Sequence, residues 1–137
     1  MSDNIFIDTN ILIYCFSTKE PTKQKEAQGI VDSEKVIIST QVVQEFTNAM
    51  SRKFKIPWFQ AEQSIIKIQE DFPIHVNKIS TLRLGCKIAN RYKFHFYDSL
   101  IIAAALETSC KTLYSEDMQH NQVIENQLTI INPFALT

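Results

Sequence analysis

The feature that most constrains the fold is the alternation of short β-branched segments with longer segments of helical periodicity along the 137 residues. Strands that alternate with helices of this length are joined by crossover connections, and such connections produce a largely parallel sheet. We therefore expect an α/β fold whose central, mostly parallel sheet of four or five strands is flanked by helices, with residues 1–137 forming one domain. The predicted strands are residues 4–8, 36–39, 74–76, 112–114 and 129–131.

The segments between the predicted strands carry helix signals. Thr40 is predicted to cap a helix that runs to about residue 53, with its apolar side chains on one stripe. Thr81 and Asp98 are predicted to open two later helices. Residues 100–106 are apolar on every side of the last of these helices, so we expect this helix to be buried inside the domain.

Composition excludes several functional classes. The chain has only two glycines, Gly29 and Gly85, whereas a dinucleotide fingerprint and a phosphate-cradling loop each need several in a short span. Lys and Arg total 14 and Asp and Glu total 15, so any electrostatic argument about partners must be local. The three cysteines are widely spaced and odd in number, which indicates neither a disulfide framework nor a structural zinc site.

The N-terminal region lacks the features of a targeting sequence. The residues before the first strand carry no positively charged segment, and the apolar run at residues 11–16 is far too short to span a bilayer. We therefore expect a cytoplasmic protein that does not associate with a membrane.

Four acidic residues stand where carboxylates are uncommon. Asp8 ends the first predicted strand, and Asp117 lies three residues past the end of the fourth, so parallel strands would bring both to one edge of the sheet. Asp98 opens the most apolar helix, where a helix N-terminus favours an anion. Glu45 borders the apolar stripe of its helix, where a carboxylate is costly unless it is compensated.

Each position also has a purely structural explanation. Asp98 can be a helix cap, Asp8 and Asp117 can form turns, and Glu45 can extend to solvent. Their conjunction is harder to explain in this way, because two like charges about 6 Å apart repel by ~3 kcal/mol at an effective dielectric constant of 20. Several such pairs require protonation or a bound cation. An all-oxygen cluster favours Mg²⁺ or Mn²⁺ over Zn²⁺.

These acids lie within segments that carry a family resemblance. Residues 7–10, 96–105, 114–120 and 131–134, together with Glu45, resemble PIN-domain nucleases, and their order and spacing are similar to those of the VapC toxins of bacterial toxin–antitoxin pairs. The resemblance implies a PIN-like three-layer fold and a Mg²⁺-dependent endoribonuclease that cleaves RNA phosphodiester bonds and is held by a cognate antitoxin. Asn121 stands where the family often has glycine, and asparagine still tolerates a left-handed turn.

A metal-dependent mechanism assigns a role to each of these acids. Asp8, Glu45 and Asp98 are predicted to hold one Mg²⁺, directly or through water, and Asp117 to complete the site or anchor a second ion; Mn²⁺ is a possible substitute. Neighbouring polar side chains are predicted to hydrogen-bond the carboxylates and fix their rotamers; they are Thr9, Asn10 and Ser115. Glu116 is left open as a further metal ligand.

RNA binding requires local positive charge. Residues 72–97 contain no acid, and Lys87, Arg91 and Lys93 lie in this stretch near the aromatic residues that precede Asp98, a combination suited to phosphate contact and base stacking. The alternative is one solvated helix face beside core aromatics, with Phe94 and Phe96 expected in the core. A second basic group follows the predicted helix at 40–53; it comprises Arg52, Lys53 and Lys55.

Partner and functional alternatives remain open at the level of sequence. The resemblance implies a homodimer and an antitoxin, with DNA contacted only through that antitoxin. The rival functions are a PIN nuclease of RNA processing and a non-catalytic module that pairs with an antitoxin in DNA-bound autoregulation. An aspartyl-phosphate phosphatase is disfavoured, because residue 10 is asparagine where that chemistry uses a second carboxylate.

Overall fold

The computed structural model describes residues 3–135 and arranges them as six strands and six helices. The strands are β1 (Asn4–Ile7), β2 (Lys35–Ser39), β3 (Ile74–His75), β4 (Thr112–Tyr114), β5 (Val123–Ile124) and β6 (Leu128–Ile131). The helices are α1 (Thr9–Phe16), α2 (Pro21–Ser33), α3 (Thr40–Arg52), α4 (Trp58–Asp71), α5 (Ile79–Tyr92) and α6 (Phe96–Glu107).

The sheet is mostly parallel, as predicted. Its strand order is β3-β2-β1-β4-β6-β5, and every pairing is parallel except that of β5 with β6. In β1, Phe6 pairs with Ile37 of β2 on one side and with Leu113 of β4 on the other. The central position of β1 places its carboxyl end, and the residue that follows it, beside the end of β4.

β5 was not among the predicted strands. It is two residues long and forms an antiparallel hairpin with β6 through Glu125 and Asn126, both with φ of 54°. Positive φ at both central positions is the geometry of a tight hairpin turn, which is usually signalled by Asn-Gly or Asp-Gly. Glu-Asn is a weak signal for this turn, and two strand residues are too few to show alternation.

The predicted starts of three helices are wrong by one to three residues. Ser39 rather than Thr40 caps α3, because its hydroxyl accepts a hydrogen bond from the Val42 amide at 3.3 Å. Thr81 lies inside α5, where its hydroxyl accepts from the Lys78 amide at 3.0 Å. Asp98 is likewise inside the first turn of α6 rather than before it. A polar side chain can satisfy a free amide from inside the first turn, so a cap residue does not by itself mark the boundary.

The core lies between the sheet and its helices. In α6 the side chains from Leu100 to Ala105 are all buried, as predicted for this uniformly apolar helix, whereas Leu106 at the end of the predicted run is half-buried. α5 packs closely against it, and a Cβ added at Gly85 would stand 3.7 Å from the Cα of Leu100. Within residues 3–135 there is no helix with the length and apolar character needed to cross a membrane.

Candidate active site

An open cleft lies where the chain leaves the carboxyl ends of β1 and β4. Asp8 follows β1 directly, and its amide donates to the Tyr114 carbonyl at 2.9 Å, which ties the two strand ends together. α3 and α6 contribute Glu45 and Asp98, and Asp117 comes from the loop after β4. All four predicted carboxylates line this cleft, which has a volume of about 660 Å³. We call it the carboxylate cleft; its other lining residues are Thr9, Asn10, Ile13, Asn48, Ala49, Arg52 and Lys53.

Asp8 is the most buried of the four acids, with 8% of its surface exposed. Its Oδ1 accepts from the Thr9 amide at 2.7 Å, and its Oδ2 accepts from the Ser115 hydroxyl at 2.9 Å. Burial raises the pKa of the Asp8 carboxyl from 3.8 to about 6; these two hydrogen bonds oppose the shift, and the charges of Asp98 and Glu45 add to it. The carboxylate is therefore held in place at an electrostatic cost.

Both carboxylate oxygens of Glu45 are occupied by protein donors. The Thr9 hydroxyl donates to Oε1 at 2.5 Å, and the Gln41 amide nitrogen donates to Oε2 at 3.2 Å. Gln41 also donates to the Tyr97 carbonyl at 3.0 Å, so one buried side chain links α3 to the start of α6. These bonds hold Glu45 on the cleft side of α3.

Asp98 and Asp117 differ in how they are held. Asp117 is exposed and accepts from the side-chain amide of Asn10 at 2.7 Å. Asp98 is half-buried, and within residues 3–135 no group hydrogen-bonds its carboxylate. Burial raises the pKa of Asp98, His95 opposes the shift, and repulsion by Asp117 and Glu45 adds to it. Asp98 is thus a half-buried carboxylate that no hydrogen-bond donor of residues 3–135 stabilises.

Thr9, Asn10 and Ser115, which the sequence singled out as neighbours of the acids, each donate a hydrogen bond to one of them. Gln41 was not predicted, because a glutamine in the first turn of a helix ordinarily faces solvent. The available signal was its spacing, since Gln41 precedes Glu45 by four positions and residues at this spacing are neighbours on a helix.

Glu116 does not line the carboxylate cleft. Its Oε1 accepts from the Tyr14 hydroxyl at 2.5 Å, and its Oε2 accepts from the Lys23 ammonium group. Burial would raise the pKa of Glu116, but the bonds from Lys23 and Tyr14 outweigh burial and lower it. Glu116 therefore joins the loop after β4 to α1 and α2, while its neighbours Ser115 and Asp117 serve the cleft.

The residues of the carboxylate cleft suit a hard divalent cation chemically. All four acidic donors are oxygen ligands, with no sulfur among the lining residues, which favours Mg²⁺ or Mn²⁺ over Zn²⁺. As the side chains stand, no three His, Cys, Asp or Glu residues of the described part of the chain form a ready metal-binding group. Because a carboxylate oxygen has two lone pairs, one that accepts a hydrogen bond can still bind a cation. The residues present thus fit an ion that is held partly through water or after small rotamer changes.

The basic residues predicted to contact RNA lie outside the lining of the cleft. Arg91 forms an ion pair with Glu125 at 2.9 Å, and Lys87 and Lys93 are exposed elsewhere on the surface. Arg52 and Lys53, from the second basic group, line the cleft instead.

The aromatic residues between α5 and the start of α6 divide between core and surface. Phe94 packs partly against the core. Phe96 does not, so that prediction is wrong: its ring is 38% exposed and meets the Tyr97 ring edge-on, because it occupies the first position of α6 at the surface.

Solved structures with a similar fold include several bacterial toxins and toxin–antitoxin complexes. A toxin–antitoxin complex from Klebsiella pneumoniae is 20% identical, with a TM-score of 0.72 and coverage of 95% of this chain and 98% of that one. The sarcin-ricin loop cleaving toxin VapC20 of Mycobacterium tuberculosis is 16% identical, with a TM-score of 0.69 and coverage of 82% and 89%. VapBC2 of Rickettsia felis bound to a promoter DNA fragment is 15% identical, with a TM-score of 0.65 and coverage of 94% and 99%.

Because the sequence identities are only 15–20%, these solved structures show that the chain shares their fold. No curated protein sequence matches the chain significantly. The family profile described as PIN domain matches residues 5–125, which include all four acids and both strand ends of the cleft. The chain therefore belongs to the PIN domain family, a family of nucleases.

Proposed function

We propose that the chain is an endoribonuclease that hydrolyses RNA phosphodiester bonds with Mg²⁺, for which Mn²⁺ can substitute. The observation that carries the proposal is the convergence of four carboxylates, from positions 8, 45, 98 and 117, on one cleft at the carboxyl edge of a parallel sheet. This edge is where open α/β sheets bind ligands. PIN nucleases generally depend on divalent metal ions, and the all-oxygen donor set suits such an ion.

Asp8 and the two acids whose charges act on it would hold the ion. Asp8 interacts electrostatically with Asp98 and Glu45, so these three are assigned to it, and Asp117 completes the site from the loop after β4. When bound, Mg²⁺ lowers the pKa of the attacking water and neutralises charge that develops on the phosphate oxygens.

The protein's own hydrogen bonds hold this arrangement in place. Ser115 and the Thr9 amide fix the rotamer of Asp8, while the Thr9 hydroxyl and Gln41 hold both oxygens of Glu45. Such bonds orient ligands before binding, so less reorganisation is needed during the reaction. Asp98, without a donor of its own, contributes the carboxylate with the greatest freedom to follow the ion.

The test is cleavage of a single-stranded RNA by the purified chain across a Mg²⁺ titration, with a chelator as the metal-free reference. We expect Asp8→Asn and Asp98→Asn to abolish cleavage and an exposed-acid control, Asp32→Asn, to retain it. A variant of Asp8 or Asp98 that cleaves at the wild-type rate with metal present would contradict the assignment. All proteins are purified identically, so contaminating nuclease would appear in every preparation.

We further propose that the chain acts in the cytoplasm as the toxin of a toxin–antitoxin pair. The toxin–antitoxin complexes that share its fold support this role. A cognate antitoxin would inhibit it, and DNA would be contacted only through that antitoxin. Expression of the wild-type chain alone should arrest bacterial growth, whereas Asp8→Asn should not. Unimpaired growth with soluble wild-type protein would contradict toxicity and favour a PIN nuclease of RNA processing.

A homodimer is the proposed oligomeric state. Trp58 and Phe59 at the start of α4 are 67% and 71% exposed, and large aromatic side chains are enriched at protein interfaces. Light scattering of the purified chain should give twice the monomer mass of 15.8 kDa. A monomer mass at micromolar concentration would contradict this proposal without affecting the proposed chemistry.

A further inference from the structure

One face of α3 connects the acidic part of the carboxylate cleft to a cationic end. Three residues that line the cleft follow Glu45 at positions +3, +4 and +7; they are Asn48, Ala49 and Arg52. Residues at these spacings lie on the same side of a helix. The rise of an α-helix places the Cα of Arg52 about 10 Å from that of Glu45. Lys53, the C-cap residue that follows α3, lines the same cleft.

Neither cation has a partner among residues 3–135. In the part of the chain that the structure describes, Arg52 and Lys53 form no ion pair and no side-chain hydrogen bond. Three cations elsewhere form ion pairs: Lys23 with Glu116, Lys67 with Asp71 and Arg91 with Glu125. What distinguishes Arg52 and Lys53 is their place in the lining of the cleft. Arg52 and Lys53 are also exposed, so their charged groups are available to a ligand in the cleft.

RNA is an anionic substrate, so its binding beside four carboxylates requires positive charge in the same cleft. Four carboxylates repel a phosphodiester, and an ion held among them offsets that repulsion only at the bond to be cleaved. The flanking phosphates of a strand need positive charge of their own, and Arg can bind a phosphate through two parallel hydrogen bonds. The C-terminal turn of α3 is the only stretch of the cleft lining, within residues 3–135, that carries Lys or Arg.

We propose that Arg52 and Lys53 bind a backbone phosphate about one or two nucleotides from the cleaved bond, so that the RNA strand runs along α3 from Glu45 toward Arg52. This inference rests on the proposed function and adds the path of the substrate to it. Asn48 lies between the two ends, and its exposed amide can both donate to and accept from a base edge or a 2′-hydroxyl.

The rival path uses Lys87 and Lys93 on and after α5. These residues do not line the carboxylate cleft, and Arg91 beside them is paired with Glu125. Arg52 and Lys53 share the cleft with the carboxylates and Lys87 and Lys93 do not, so the geometry favours the α3 path. The two paths predict different variants to be defective.

The experiment measures binding and cleavage of a single-stranded RNA by the full chain. Binding is followed by fluorescence anisotropy in the Asp8→Asn background, which prevents cleavage, over a series of salt concentrations. The test variant is Arg52→Gln/Lys53→Gln. The matched control, Lys25→Gln/Lys35→Gln, removes two exposed cations outside the cleft, and the rival variant is Lys87→Gln/Lys93→Gln. Circular dichroism and a melting curve establish that each variant is folded.

We expect the test variant to raise Kd and KM about tenfold at moderate salt, with kcat changed by less than about threefold. The slope of log K against log salt should fall by about 0.7 for each phosphate that the variant no longer neutralises. Wild-type binding and salt slope in the folded test variant, or a defect confined to the rival variant, would overturn the inference. If the wild-type chain still cleaves RNA in that case, the proposed function stands; absence of cleavage by the wild type would overturn both.

Discussion

At the scale of single residues, Asp8 is where the chemistry of the cleft conflicts most with the stability of the fold. Its carboxyl is buried, and its pKa is raised from 3.8 to about 6, chiefly by that burial. At a pH between 3.8 and about 6, Asp8 of the folded chain keeps a proton that Asp8 of the unfolded chain releases. Stability of the metal-free protein therefore falls as pH rises through this window, and the loss is complete above it.

Replacement of Asp8 by Asn removes this pH-dependent cost. The difference between pKa values of 3.8 and about 6 corresponds to about 3 kcal/mol. In chelator, the free energy of unfolding of Asp8→Asn relative to wild type should rise by up to this amount between pH 4 and pH 7, as measured by urea denaturation. Asp3→Asn, at an exposed acid nearby in sequence, is the control for the loss of one carboxylate. A parallel pH profile for Asp8→Asn and wild type would contradict the assigned cost of burial.

Gln41 acts through Glu45, and its removal should affect metal binding more than folding. Gln41→Leu keeps the volume but removes the donor to Glu45 and to the Tyr97 carbonyl. We expect the Mg²⁺ concentration for half-maximal cleavage to rise on the order of tenfold, the typical cost of losing a group that orients a ligand. Gln44→Leu, at an exposed position on the same helix, is the control. An unchanged Mg²⁺ dependence in Gln41→Leu would mean that Glu45 needs no such support.

The residues of the cleft were predictable to different degrees. Asp8 and Asp117 could be placed because the carboxyl ends of parallel strands share an edge of the sheet. Glu116 could not be separated from its neighbour by sequence alone, since its direction depends on Tyr14 and Lys23, which lie about a hundred positions earlier. Gln41 was missed because its two partners are visible only when α3 and α6 are packed together.

At the scale of elements, the loop after β4 is held from two sides. Ser115 and Asp117 turn toward the carboxylate cleft, whereas Glu116 between them is anchored by Tyr14 of α1 and Lys23 of α2. The ammonium group of Lys23 also lies 5.1 Å from the centre of the Tyr14 ring. We call Glu116, Tyr14 and Lys23 the anchor of this loop. The anchor fixes the backbone on both sides of Glu116, although none of its three side chains lines the carboxylate cleft.

Loss of this anchor should lower the rate of cleavage rather than the affinity for RNA. Lys23→Met keeps the aliphatic stem over the ring and removes the charge, so the loop can shift without loss of packing. A displacement of about 1 Å near a reacting group can cost up to 100-fold in rate, and we expect kcat to fall on the order of tenfold with KM little changed. Lys25→Met on the exposed side of α2 is the matched control. Wild-type kcat in Lys23→Met would show that the loop holds its position without the anchor.

Element types were more predictable than their boundaries. The parallel strands follow from short β-branched segments, and the buried helix α6 follows from one long apolar run. Burial of these side chains outweighs any local preference. The starts of α3 and α5 are marked by single hydrogen bonds to a hydroxyl in the first turn, and other nearby hydroxyl groups could have served. α6 begins without a side-chain cap, so no polar residue marks its start. β5 depends on its pairing with β6 and has no sequence signal of comparable strength.

At the scale of the whole molecule, the four acids are distributed over more than a hundred positions, so the cleft exists only when the sheet, α3 and α6 are assembled. A ligand of the assembled cleft must therefore stabilise the entire fold. The PIN domain match spans residues 5–125, and the expectation that residues 1–137 form one domain stays a prediction.

Mg²⁺ should accordingly raise the melting temperature of the wild-type chain. An ion that binds only the folded state adds about 2.7 kcal/mol when its concentration is 100 times its Kd. The gain should be largest above pH 6, where Asp8 is ionised without metal, and should shrink as pH falls toward 4, because protons and the ion compete for the same carboxylate.

Differential scanning fluorimetry with Mg²⁺, Mn²⁺ and chelator measures this effect. Asp8→Asn and Asp98→Asn should lose the metal-dependent shift, while the exposed-acid variant Asp32→Asn should keep it. An equal shift in all four proteins would mean that the ion binds outside the cleft. An ion held by Asp8 and Asp98 must lose affinity when either carboxylate is removed, and its stabilisation of the assembled fold must then decrease.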